Sequence, residues 1–174
     1  MRRVAAAALL LVVVAAGAGL ALRTADDRPA GEGVVSHIRD GDTIDLTNGD
    51  VVRLVQIDTP ELSEGECYAQ RARALLQRLL PVGTRVRIVE DPRLDRVDRY
   101  GRRLAYVLKD GLNVNRLLVA RGAAGVWFFE GSRGEHAGAF LAAERRAKTH
   151  RIGLWRRCPG TRFDPLEPID SGTH

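Results

Sequence analysis

From Val34 onward, apolar residues recur first with the short period of β-strands and only later with the longer period of helices. Val34 to Ile38, Thr43 to Leu46 and Val51 to Ile57 are strand-like runs, the last two joined through Asn48-Gly49, a dipeptide suited to a tight hairpin. They read as consecutive antiparallel strands. Ala69, Ala72, Leu76 and Leu79 fall near helical spacing, which predicts a helix from Tyr68 to Leu80 ended by Pro81-Val82-Gly83. Arg85 to Glu90 reads as a fourth strand and Arg102 to Lys109 as a fifth. Asp110-Gly111 then turns the chain into a helix from Asn113 to Arg121, with Gly122 as its stop. Ala123 to Phe129 suits a further short strand, and His136 to His150 the last helix. Five short strands with a helix after the third and others toward the end predict an α+β, mainly β chain: a small closed barrel with about three helices packed on it.

One position breaks the pattern. If Val51 to Ile57 is extended throughout, Val51, Arg53, Val55 and Ile57 share a face, so a guanidinium interrupts an apolar surface. Burying that charge is costly unless an anion meets it, and Asp58 and Glu61 follow at the strand's exit. The combination suits phosphate and a hard metal ion.

The 174 residues allow one well-buried domain, read here as 34–158. Before it, Met1-Arg2-Arg3 and an apolar stretch to Leu22 have the form of a secretory signal peptide or a retained N-terminal membrane anchor (1–22), and 23–33 is polar and linker-like. A flexible tail is expected over 159–174. Export predicts a secreted protein, or one anchored to the outer face of the cytoplasmic membrane. Cys67 and Cys158, an even count in an exported chain, are expected to form a disulfide. With two cysteines and four scattered histidines, zinc has no ligand set. A net charge of +5 favours an acidic partner such as nucleic acid, although arginine supplies all of the basic side chains except Lys109 and Lys148.

Candidate chemistry gathers in two clusters. Asp40-Gly41-Asp42-Thr43 turns the first strand into the second, near where the third delivers Asp58 and Glu61. Three carboxylates on one rim repel unless a cation joins them, and an all-oxygen set selects calcium or magnesium. The second cluster, Asp98-Arg99-Tyr100-Gly101-Arg102-Arg103-Leu104-Ala105-Tyr106, leads into the fifth strand. Arg102 is read as turned inward beside Arg53, and Arg103 as solvated.

These residues resemble the staphylococcal nuclease (thermonuclease) family. The likeness is carried by D-G-D-T at Asp40 to Thr43, R-L-V-Q-I-D-T-P-E at Arg53 to Glu61 and D-R-Y-G-R-R-L-A-Y at Asp98 to Tyr106, in order and at similar spacing. It extends from about Val34 to Trp155. The resemblance implies a five-stranded oligonucleotide-binding (OB-fold-like) barrel with three helices, and a calcium-dependent nuclease that hydrolyses DNA and RNA. By the same likeness Asp42 and Asp58 bind calcium (Ca2+), with the backbone carbonyl of Thr59 joining them. Glu61 positions or deprotonates the attacking water, and Arg53 and Arg102 hold the scissile phosphate. Arg99 stands where a lysine meets the terminal phosphate, Tyr100 is retained beside it, and Phe128 and Glu130 replace tyrosines of the base pocket. Arg99, Tyr100 and Phe128 are therefore the candidate substrate-binding residues, with Phe128 able to stack on a base. Trp127 and Trp155 read as packing residues and Glu144 as a buried, hydrogen-bonded carboxylate. A monomer is expected. A noncatalytic nucleic-acid-binding barrel is the alternative, although a decayed site would be expected to lack at least one of Arg53, Asp58, Glu61 and Arg102.

Overall fold

The computed structural model describes residues 31–173. The apolar segment 1–22 and most of the linker lie outside them. Strand β1 (Glu32–Ile38) begins two residues earlier than expected, β2 (Thr43–Leu46) spans the expected residues, and β3 (Val51–Leu54) ends earlier than expected. The Asn48-Gly49 hairpin pairs β2 with β3 antiparallel, Thr43 opposite Arg53 and Asp45 opposite Val51. Strand β1 pairs with β2 on one side and with β5 (Arg85–Val89) on the other, and β5 pairs with β6 (Arg103–Lys109), all antiparallel. A parallel pairing of β3 with β6, Leu54 beside Ala105, closes five strands into a barrel. Closure removes the open edges that a five-stranded sheet would leave.

Alternation of side chains fills this barrel from every strand: Val35, Ile44, Val52, Leu54, Val86, Ile88, Ala105 and Val107 are all buried. Helix α1 (Ala69–Leu79) buries Ala69, Ala72, Leu75 and Leu76. After the short strand β7 (Leu112–Asn113), helix α2 (Val114–Ala120) starts at Asn113, whose side chain accepts a hydrogen bond from the Arg116 N–H as an N-cap should. Asn115 of α2 is fully buried and satisfied, accepting from the Val107 N–H and donating to the carbonyls of Val55 and Ala105. It ties α2 to the barrel wall. Helix α3 (Ala137–Thr149) lays Phe140, Glu144 and Ala147 inward, and a single turn, α4 (Leu154–Arg157), follows.

Three expectations change here. The run Val51 to Ile57 is not one strand: Gln56 is left-handed at φ 65°, and Ile57–Asp58 forms a separate short strand, β4, paired antiparallel with β8 (Gly125–Val126). Gln56 is held in that conformation by its side chain, which donates to the Ser132 carbonyl and accepts from the Gly134 N–H. The break resets alternation, so Ile57 and Asp58 are both buried. Arg103 is buried rather than solvated, its guanidinium donating to Asp50 at 3.1 Å and Glu90 at 2.7 Å. The tail over 159–173 is docked, not free: Phe128 N–H donates to the Pro165 carbonyl, Cys67 N–H to the Gly172 carbonyl, and Glu66 bridges Thr173. The Cys67–Cys158 disulfide is formed, with Cα atoms 6.0 Å apart.

Candidate active site

The site forms at one end of the barrel because two turns meet there. The Asp40–Thr43 turn brings Gly41 against Thr59 so closely that a β-carbon on Gly41 would stand 2.6 Å from the Thr59 hydroxyl oxygen. Only glycine permits that approach. Asp42 gains from it: one carboxylate oxygen, Oδ2, accepts from both the N–H of Thr59 at 3.0 Å and its hydroxyl at 2.9 Å. The other oxygen, Oδ1, accepts from the Thr43 hydroxyl and faces Arg53 Nε at 3.1 Å.

Arg53 is 7% exposed and lies between the two aspartates. Its Nη2 donates to Asp58 Oδ1 at 2.6 Å, and Nη1 donates to the carbonyls of Leu54 and Ile57. The anion that the apolar face demanded is thus a pair of carboxylates. Burial pushes both the Asp42 and the Asp58 carboxyl up, against the pull of Arg53, and neighbouring Asp40 pushes each further. Arg53 itself is desolvated, but Asp42 and Asp58 more than offset this and strengthen its hold on the proton. One guanidinium facing that much carboxylate leaves the site short of positive charge. Glu61 is exposed at the rim, its carboxyl raised by partial burial and by Asp58 and Asp40. The following segment Glu64-Gly65-Glu66 folds back on it, Glu66 accepting from the Glu61 N–H at 2.7 Å.

The donor chemistry fits a hard divalent cation. Asp42, Asp58 and the Thr59 carbonyl offer oxygen only, and the deficit of positive charge is what such an ion would supply. Among the described residues no three carboxylate, histidine or cysteine side chains are gathered as a ready ligand group. Arg53 engages Oδ1 of both aspartates, so an ion bound by those oxygens takes over contacts the guanidinium now makes.

Beside the aspartates opens a cleft of about 230 Å³ lined by Arg53, Arg99, Tyr100, Arg102, Trp127 and Phe129, among others. Asp98 builds its far wall, accepting from the N–H groups of Tyr100 and Arg102 and, at 2.6 Å, from Arg102 Nε. Although partial burial pushes the Asp98 carboxyl up, those hydrogen bonds from Arg102 and Tyr100 bring it below the ordinary value. The Tyr100 ring is 68% exposed, with the guanidinium carbons of Arg99 and Arg102 at 4.8 and 5.3 Å from its centroid. Arg99 also donates to the Tyr100 hydroxyl.

Phe128, expected at the substrate, does not line the cleft. Its side chain is fully buried beneath Arg133, whose guanidinium carbon lies 5.0 Å from the ring centroid, so no base can reach it. The neighbours on either side, Trp127 and Phe129, line the cleft instead, in edge-to-face contact at 5.7 Å. Arg53 stands 5.9 Å from the Trp127 ring. The aromatic run Trp127-Phe128-Phe129 was the available signal, but which member faces outward depends on a two-residue strand entering a 3-10 turn at Phe129–Gly131. Glu144 is buried as expected, accepting from the Val126 N–H at 3.0 Å and so fixing β8 behind this wall.

Residues 51–157 match the sequence model of the family described as "Staphylococcal nuclease homologue". The SPbeta prophage-derived endonuclease YokF of Bacillus subtilis is 34% identical over 125 residues, 68% of this chain and 42% of that protein. Endonuclease YncB of the same organism is 34% identical over 125 residues, 68% and 58% of the two chains. An uncharacterized endonuclease of Escherichia coli O157:H7 is 33% identical over 140 residues, 78% and 81%. The chain spans 42% and 58% of the lengths of the two Bacillus subtilis proteins. The family match covers more than half of the chain and takes in Arg53, Asp58, Glu61 and Arg102: the chain belongs to the staphylococcal nuclease family.

Proposed function

We propose that this chain is an exported, calcium-dependent nuclease that hydrolyses phosphodiester bonds of DNA and RNA. The observation that carries the reading is that Arg53, which lines one cleft together with Arg102, is ion-paired to both Asp42 and Asp58, with Glu61 near enough to feel the charges of Arg53 and Asp58. The relatives named as endonucleases support it, and the Cys67–Cys158 bridge supports an oxidising compartment.

Hydrolysis loads charge onto the nonbridging oxygens of the phosphorus as water adds, and fixed donors aimed at those oxygens lower the barrier. Arg53 and Arg102 serve there, since guanidinium keeps its proton at working pH and matches two oxygens at once. Asp98 fixes the angle of Arg102. Glu61 accepts a proton from the attacking water; its raised affinity for protons brings it closer to neutrality, where a general base contributes about 10²–10⁴ in rate. The new P–O bond forms as the ester P–O bond breaks, and the departing oxygen takes a proton from solvent. Calcium, when bound by Asp42, Asp58 and the Thr59 carbonyl, supplies further positive charge to the phosphate. Tyr100, Trp127 and Phe129 offer faces for bases, where stacking tolerates any base identity.

The test is incubation of the purified chain with single-stranded DNA, with calcium and then with chelator. Cleavage that appears with calcium and stops with chelator is expected. A folded protein that binds the DNA without cutting it would establish the noncatalytic alternative instead.

A further inference from the structure

The C-terminal segment beyond Cys158 lies outside the family match, yet it reaches the centre of the site. The Ile169 N–H donates to Asp58 Oδ2 at 3.0 Å, a buried contact spanning 111 residues of sequence. The side chain seats the segment as well: Ile169 is 6% exposed and packs over Gly125, the residue paired with Asp58 across β4 and β8. A β-carbon on Gly125 would stand 3.0 Å from Ile169 Cδ1, so the glycine provides the seat. Both ends of the segment are fastened to one place. Its start is joined covalently to Cys67 through Cys158, and its end is tied to Cys67 again, by the Ser171 hydroxyl on the Cys67 carbonyl and the Cys67 N–H on the Gly172 carbonyl, each at 2.8 Å. The result is a closed strap drawn across Asp58.

We infer that this strap is a positioning element for the candidate cation site, with the Ile169 backbone N–H setting the rotation of the Asp58 carboxylate. Asp58 has one oxygen toward Arg53 and the cleft and the other toward the strap. Fixing Oδ2 leaves Oδ1 aimed inward, so the carboxylate is already oriented when an ion arrives. Partners that orient a ligand from behind typically change metal affinity about 10- to 100-fold when removed. The inference rests on the reading of Asp58 as a cation ligand.

The test is calorimetric titration of the full chain with calcium chloride alone, followed by calcium dependence of DNA cleavage. I169P, which lacks the N–H, and a truncation after Arg162 are expected to weaken calcium binding about tenfold, while kcat at saturating calcium changes far less. I169V, which keeps the N–H, is expected to restore wild-type affinity. In the wild-type chain the Ile169 amide should be protected from hydrogen exchange and shift during the calcium titration, a readout that needs no variant. Unchanged or tighter calcium binding in the strap variants, or an unprotected Ile169 amide, overturns the strap's role and leaves the nuclease reading standing. A wild-type chain that takes up no calcium overturns the cation reading and this inference together.

Discussion

Arg53 is where stability and chemistry meet. It neutralises two buried carboxylates and simultaneously presents a guanidinium to the cleft. Removing one partner of a buried ionic cluster typically costs about 3–5 kcal/mol, because the remaining charges lose their counterion. R53A is therefore expected to lose about that much stability at neutral pH and to cut cleavage by about 10³-fold per folded molecule. The stability deficit should shrink as pH falls, since burial raises the proton affinity of both Asp42 and Asp58 and protonation relieves the orphaned pair. Urea melts across pH, with activity normalised to folded protein, check both. Arg103 is the contrast. Its salt bridges to Asp50 and Glu90 join three strands away from the cleft lining. R103A should destabilise by a similar amount while leaving cleavage per folded molecule within about threefold of wild type. Sequence placed the adjacent arginines Arg102 and Arg103 on opposite sides of the strand, as alternation requires, but assigned Arg103 to solvent. Its two acidic partners come from the β2–β3 turn and the end of β5, and no local pattern reveals them.

At the scale of elements, the strands and helices read correctly wherever their signals are local. Asn48-Gly49, Pro81-Val82-Gly83 and Asp110-Gly111 each impose a turn through their own backbone preferences, and the observed boundaries fall within a few residues of them. The break at Gln56 was not legible. A non-glycine residue takes φ 65° there because Ser132 and Gly134, more than 70 positions away, hold its side chain. The same cause hid Phe129 behind Phe128, since parity in β8 is set by pairing with β4 rather than by a long alternating run. The wall so formed carries a testable device. Glu144 supports β8 from within, and burial raises its carboxyl to about 7, above the ordinary 4.5, opposed by the Val126 N–H, by Lys148 with its Nζ 3.8 Å from Glu144 Oε2, and by Arg145. Between those values the native state holds a proton that the unfolded chain releases, so stability should be fullest below about pH 4.5 and fall as pH rises through 7. The loss is on the order of 3 kcal/mol. E144Q keeps the acceptor for Val126 without the titration, and the difference between the two proteins in melting experiments from pH 4.5 to 8 isolates the effect. A flat difference would assign the native carboxyl an ordinary affinity for protons.

Across the whole molecule, the barrel end that carries the candidate site is held by covalent as well as packed connections. The disulfide links the segment before α1 to the end of α4 over 91 positions, and Leu154 and Ile169 pack against it in a small second core. Its place was legible from the even cysteine count, whereas the docking of the tail onto that core was not, because a stretch rich in proline and glycine carries no periodicity to announce it. The consequence joins stability to the site. Closing a loop of this length restricts the unfolded chain by about 4–5 kcal/mol on the loop-entropy scale, with native strain subtracting from it. Replacing both cysteines with alanine is expected to lower stability by about 3–4 kcal/mol and to loosen the strap that the bridge begins. On the proposed calcium reading, binding to the native state alone would return part of that loss through mass action, about 2.7 kcal/mol at a hundredfold excess over the dissociation constant. The melting temperature of the cysteine-free chain should therefore rise with calcium, but should need a higher concentration than the oxidised chain for the same increment, because Asp58 is less firmly oriented. Thermal melts of both proteins over a calcium series measure the two quantities together: the offset without calcium reports the bridge, and the displacement between the two titration curves reports its reach into the site.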